Sequence, residues 1–197
     1  LLGEKIRYTT ERIYGIDISR HQHDIGRRHY GINWRQVRIT SLGSKHNTEG
    51  LTYPVSFVYI KSTQGITIQN KYFSADYRNC HLQSIRVGAY HFFSTKQDGI
   101  EQARYFLQNT CFSHGDMPPM LDVEPSDAQI VQMGGAEALF KQVRLWLQLV
   151  EQAVGIRPLI YVNQRFVNMW LTQAPDLKEK YQFWIARYGE YKPDLHL

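Results

Sequence analysis

Short apolar, β-branched and aromatic runs alternate along the chain with longer stretches whose apolar positions recur every three or four residues. The short runs are Tyr14–Ser19 (YGIDIS), Phe57–Lys61 (FVYIK), Val87–Phe93 (VGAYHFF), Pro119–Glu124 (PMLDVE), Pro158–Val162 (PLIYV) and Phe183–Arg187 (FWIAR). Their length and their Ile, Val, Tyr, Phe and Trp content predict strands. The longer stretches predict helices: Tyr72–Leu82, Asp98–Gln108 and Ala136–Ala153. In the last of these, Leu139, Phe140, Val143, Leu147 and Val150 share one face. Gly155 and Pro158 then end that helix and open the next strand. Repeated strand–helix alternation predicts an α/β fold with a parallel sheet. Strands that read as continuously apolar have both faces covered, which suits a barrel or a doubly wound sheet. The polar, glycine-containing segment Thr40–Pro54 (TSLGSKHNTEGLTYP) reads as a surface insertion before the second strand.

Composition narrows the class. The 197 residues are 43% hydrophobic, 13% aromatic and 21% charged, enough for one domain with a sizeable core and too apolar for a disordered chain. A closed eight-stranded α/β barrel needs at least ~200 residues, so the length is marginal for one. Lys and Arg number 23 against 18 Asp and Glu, a net +5. That balance favours anionic partners, but the basic residues are scattered and show no nucleic-acid footprint. No apolar run is long enough to predict a membrane-spanning helix. Leu1 and Leu2 run into charged residues without a leader pattern, so the start reads as trimmed. Cys80 and Cys111 are too few for a disulfide scaffold and are expected as buried thiols. Gly-x-Gly-x-x-Gly, Gly-x4-Gly-Lys, Gly-x-Ser-x-Gly and His-Glu-x-x-His are all absent from the sequence, so no cofactor or metal is expected. His21-x-His23-Asp24 has no third-ligand partner at metal spacing and is expected to be a solvated loop.

Each strand ends in polar residues: Asp17-Ile18-Ser19, Lys61-Ser62-Thr63-Gln64, Tyr90-His91, Asp122-Val123-Glu124, Tyr161 with Asn163, and Arg187-Tyr188. Parallel α/β folds build their sites at that carboxyl edge. Asp122 and Glu124 stand out. Residues i and i+2 of a strand share a face, ~6.5–7 Å apart at Cα, so two carboxylates converge on one end of an apolar strand. Repulsion and partial burial would leave one of them protonated beside an anion. Glycosidic cleavage needs that pair: an acid for the leaving oxygen and an anion for the developing positive charge. The alternative is that both side chains splay into a solvated loop before Pro125. Asp17, facing away from Ile16 and Ile18, either caps a turn or adds a third carboxylate. Tyr14, Tyr59 and Trp184 are expected in the core. Tyr90, Tyr161 and Tyr188, nearer the strand ends, could face sugar rings. His91 is expected to be a hydrogen-bonded structural residue.

The six segments YGIDIS, FVYIKSTQG, VGAYHFF, PPMLDVE, PLIYVN and FWIARY, in that order, resemble the Chalaropsis-type lysozymes of glycoside hydrolase family 25 from about Tyr14 to Tyr188. The resemblance implies a flattened, incomplete TIM-like β/α barrel of mostly parallel strands. It implies hydrolysis of the β-1,4 bond between N-acetylmuramic acid and N-acetylglucosamine in peptidoglycan. Glu124 would be the general acid/base and Asp122 its assistant, with Asp17 completing the acidic mouth. Tyr90, Tyr161, Lys61, Gln64, Arg187 and Tyr188 would contact the glycan. The implied protein is a monomer of the secreted or cell-envelope space, without cofactor. Residues 1–13 would be a lead segment and 14–197 the catalytic domain. Two departures stand out. Gln64 replaces the Glu common in the family, which predicts altered affinity. The chain also ends nine residues past Tyr188, before the last one or two strands the family uses, so one sheet edge is expected to be open. Two other functions fit the same residues: a glycan-binding module without activity, and a chitinase-like N-acetylhexosaminidase.

Overall fold

The computed structural model describes residues 13–39 and 53–186. Six parallel strands form the main sheet: β1 (Gly15–Ile18), β2 (Phe57–Gln64), β3 (Arg86–Phe92), β4 (Met120–Asp122), β5 (Leu159–Asn163) and β6 (Gln182–Ala186). Their order in space is their order in the chain. A doubly wound sheet reverses its strand order part-way; this one does not, so it curls as part of a barrel. Among the described residues, β1 and β6 are the two ends of the row. A short antiparallel piece, Ile68–Gln69, folds back on the end of β2.

Among the described residues, six α-helices connect the strands: α1 (Phe73–Leu82), α2 (Gly99–Gln108), α3 (Asp127–Gln132), α4 (Ala136–Val154), α5 (Gln164–Met169) and α6 (Pro175–Lys180). The apolar stripe expected on α4 is buried at Leu139, Phe140, Val143, Leu147 and Val150, with Trp146 added. Gly155 ends the helix in the left-handed conformation, which a residue without Cβ adopts without strain. α2 begins at an Asp98 cap whose carboxylate accepts from the Ile100 and Glu101 amides. Gly99 lets α2 touch α4: a Cβ there would lie 2.2 Å from the Gln142 carbonyl oxygen.

Alternation along the strands separates two layers. Val58, Ile60, Val87, Ala89, Leu121, Val123, Ile160 and Val162 face the helices in one large core. The next residues along face the inside of the curve, where Tyr59, Tyr90 and Met120 are buried with Phe57, Tyr161 and Trp184 against them. This inner layer is aromatic, and two glycines make room for it. A Cβ on Gly88 would lie 2.4 Å from the Tyr59 ring, and one on Gly15 2.2 Å from the Phe57 ring.

Two expectations are corrected. His23 is not in a solvated loop: it is 4% exposed, with Nδ1 donating to the Tyr30 carbonyl at 2.8 Å and Nε2 on Asp76 Oδ2 at 2.6 Å. Trp34 Nε1 donates to the other Asp76 oxygen at 3.2 Å. The loop after β1 is thus tied to α1 through a buried pair. Cys80 is buried as expected, whereas Cys111 is exposed, and both are free thiols. Asp122 is buried and Glu124 half-buried, against the alternative that both splay into solvent. The insertion before β2 is closed at its base by antiparallel pairing of Arg38–Ile39 with Tyr53–Pro54; residues 40–52, and the sequence-predicted site residues Arg187 and Tyr188, lie outside the described residues.

Candidate active site

The carboxyl ends of β1 to β5 meet in one acidic mouth. Asp17 lies on β1 beside Tyr59 of β2. Asp122 ends β4 beside Tyr161 of β5. Glu124 follows two residues later, half-buried. The three carboxyl groups act on one another. The Asp122 carboxyl is 7% exposed, and burial raises its pKa well above the ordinary value. Glu124 raises it further by charge and by a carboxyl–carboxyl hydrogen bond, and Asp17 adds to the effect while Lys61 opposes it. Two carboxyl groups this close repel each other when both are charged, which adds to burial in favouring the protonated form of Asp122. Asp122 Oδ1 finds no protein hydrogen-bond partner. Asp17 is open to solvent at the rim, but the part of it that faces the mouth is desolvated, which raises its pKa.

Tyr90 stands among the three acids. Burial comes first in raising its pKa, followed by the charges of Asp17, Asp122 and Glu124, so its hydroxyl stays protonated beside them. Tyr161 is half-buried, with its ring 5.9 Å from Trp184. Tyr59 is fully buried and donates to the Pro118 carbonyl at 2.9 Å.

Lys61 follows Tyr59 on the inner face of β2, and Gln64 joins it there because β2 bulges. Strict alternation would put Lys61 and Gln64 on opposite faces. The register with β3 slips by one residue between Lys61 and Thr63, and such an insertion re-aims the residues beyond it. Ser62 points to the helix side, against Thr110 Oγ1 at 2.7 Å. Gln64 comes round to accept from Lys61 Nζ at 2.6 Å. The ammonium lies 4.6 Å from the centre of the Phe92 ring. Burial lowers the Lys61 pKa, and the Asp122 charge partly offsets this.

His91 belongs to the scaffold. Gln102 Nε2 donates to the Ser94 and Gln97 carbonyls, which fixes its oxygen as the acceptor for His91 Nε2 at 3.1 Å. Nδ1 is then the acceptor for the Thr63 hydroxyl at 2.8 Å. Burial pushes the imidazole pKa down to about 4, so the ring is neutral under β3.

Three clefts run along the mouth. One is lined by Ser19, Arg20, His21, Lys61 and Gln64. The next is shared by Gln64, Phe92, Ser94, Lys96 and Glu124. A third is bordered by Glu124, Asp127, Asn163, Arg165, Phe166 and Trp170. Gln64 joins the first two and Glu124 the last two, so Glu124 stands where an extended ligand would cross. Among the described residues, no group of three or more His, Cys, Asp or Glu side chains could hold a metal ion.

Residues 16–196 match the family described as "Glycosyl hydrolases family 25". The chain belongs to glycosyl hydrolase family 25. Family 25 members share its architecture: a Bacillus anthracis family 25 glycosyl hydrolase superposes with TM-score 0.69 at 28% identity, over 88% of this chain and 70% of that one. A bacterial lysozyme from Streptomyces coelicolor gives TM-score 0.70 at 25% identity, over 94% and 79%. These likenesses identify the curled sheet as the incomplete TIM-like barrel of family 25. By sequence, the chain is 34% identical to the uncharacterized protein YegX of Escherichia coli (strain K12) over 182 residues, 92% of this chain. It is 28% identical to lysozyme M1 of Streptomyces globisporus over 194 residues, 94% of this chain. It spans 58% of the length of each of these two relatives.

The structure brings together Asp17, Lys61, Gln64, Tyr90, Asp122, Glu124 and Tyr161 from the sequence-predicted set. Sequence reasoning missed the far cleft. Arg165 and Trp170 sit on and after a six-residue helix too short for a periodic signal, and no motif in the sequence singles out Asp127. It also read as site polarity what is partly capping: Ser19 accepts from the His21 amide, and Asn163 Oδ1 accepts from the Phe166 amide at 2.8 Å.

Proposed function

We propose that this protein is a muramidase that hydrolyses the β-1,4 bond between N-acetylmuramic acid and N-acetylglucosamine of peptidoglycan. The observation that carries this is the contact between the Asp122 and Glu124 carboxyl groups at the point where two clefts meet. Glu124 borders both clefts, so it is the member that can touch the leaving oxygen and donate to it as general acid. Asp122 lies deeper; its charge and hydrogen bond set the proton on the pair. When the proton leaves, the mouth becomes more negative just as the sugar becomes positive, and Asp17 adds to that field. Glu124, now a carboxylate, takes a proton from the incoming water. Tyr90 and Tyr161 offer rings and hydroxyls to the sugars. Lys61, held by Gln64, offsets part of the negative charge. The protein acts on cell-wall glycan outside the cytoplasm, and no helix among the described residues is long and apolar enough to cross a membrane.

The test is incubation with purified peptidoglycan, followed by borohydride reduction to identify the new reducing ends. Muramic acid ends are expected. Reducing N-acetylglucosamine ends, or cleavage of chitin oligomers alone, would select the chitinase-like reading. Retention of glycan with no new ends would select a binding module.

A further inference from the structure

The third cleft, of about 400 Å³, holds a group that the reaction above leaves unused. Arg165 and Asp127 pair in its wall, Arg165 Nη2 donating to Asp127 Oδ2. Trp170 Nε1 donates to the other oxygen of the same carboxylate at 2.9 Å. Asp127 therefore fixes two groups, a guanidinium and a half-buried indole, in the wall of a cleft that starts at Glu124. The Arg165 side chain remains 67% exposed, and an ion pair that open adds little stability.

Charge makes the placement informative. Asp17, Asp122 and Glu124 crowd the mouth, and an anionic substituent on the ligand would be repelled there. Among the residues lining this third cleft, Arg165 is the cation. A planar guanidinium with one arm already oriented is suited to a carboxylate. An indole whose N–H is tied down offers a flat apolar wall beside it.

We propose that this cleft binds a carboxylate carried by the glycan's substituents, with Arg165 as its charge partner and Trp170 as its wall. The inference rests on the muramidase reading for the kind of glycan that brings the carboxylate. The lactyl group of muramic acid and the peptide stem both carry that chemistry. The cleft thereby selects acidic, substituted glycan over plain N-acetylglucosamine polymer.

The experiment uses titration calorimetry with the full chain and soluble peptidoglycan disaccharide–tripeptides. Their carboxylates are left free or capped as amides, and a stem-free disaccharide with a free lactyl carboxylate forms a further arm. The free tripeptide form, the bare-lactyl form or both should bind about tenfold tighter than the corresponding capped form, as expected for one partly exposed charge-assisted contact. The arm that shows the difference names the carboxylate. Arg165→Ala should erase the preference, and Arg165→Lys should restore part of it, with thermal unfolding confirming that each variant is folded. Equal affinity for free and capped forms in both arms, or a preference that survives in Arg165→Ala, overturns the proposal. Reducing-end release from intact peptidoglycan is measured in parallel. Its absence alongside an Arg165-dependent preference would count against the muramidase reading and support the cleft.

Discussion

Asp76 and Asp122 are both nearly sealed from solvent, at 2% and 7% exposure, one in the helix layer and the other inside the curve of the sheet. Asp76 is provided for: His23 holds one oxygen and Trp34 the other. Asp122 has a second carboxyl as its neighbour and one oxygen without a protein partner. Burial of an acid therefore does not mark a site. The partners do: complementary ones tie a loop to a helix, and like-charged ones store a proton where a ligand can reach it.

Four predictions probe this contrast. Asp76→Ala leaves His23 and Trp34 without their acceptor, and breaking a buried pair typically costs about 3–5 kcal/mol. Urea unfolding should show a loss of that size, with the rate per folded molecule nearly unchanged. A stability loss below about 1 kcal/mol would remove the distinction between the two aspartates. Asp122→Asn should do the reverse, lowering hydrolysis about a hundredfold while stability at neutral pH holds or rises, because a like-charge contact is removed. The same pair of proteins sharpens the contrast through pH. The raised Asp122 pKa means that the folded state keeps a proton the unfolded chain has released. Wild-type stability should therefore fall relative to Asp122→Asn as the pH rises above the ordinary value of 3.8. His91 acts in the opposite sense, its stabilising effect being lost as the pH falls from 6.5 towards about 4. The smallest effect is expected for Gln64→Glu. The new charge beside Lys61 would weaken the ammonium's pull on Asp122 and shift the acid limb of the pH–rate profile upward, with a change of only a few fold in rate at its optimum. A downward shift would mean that Lys61 does not act on the pair.

The sheet was legible because each strand carries its own apolar signature and appears in the chain in spatial order. The pair Asp122–Glu124 was legible because i, i+2 spacing needs no tertiary information. What depended on the fold was hidden. The bulge that brings Gln64 to Lys61 has no marker in FVYIKSTQ. The burial of His23 depends on Asp76, 53 residues away in sequence. Arg165 and Trp170 become neighbours of Glu124 only once β4 and β5 pair. Capping consumes Ser19 and Asn163, whose polarity in sequence looked the same as that of the mouth.

The central claim is that Glu124 delivers the proton that Asp122 helps to hold. Reducing-end release from purified peptidoglycan, compared between the wild type and Glu124→Gln at matched folded concentration, tests it most directly. The amide keeps the size and removes the proton. The expected result is a fall in kcat of about a thousandfold or more with an unchanged unfolding midpoint. Rates within a few fold of the wild type would contradict the claim.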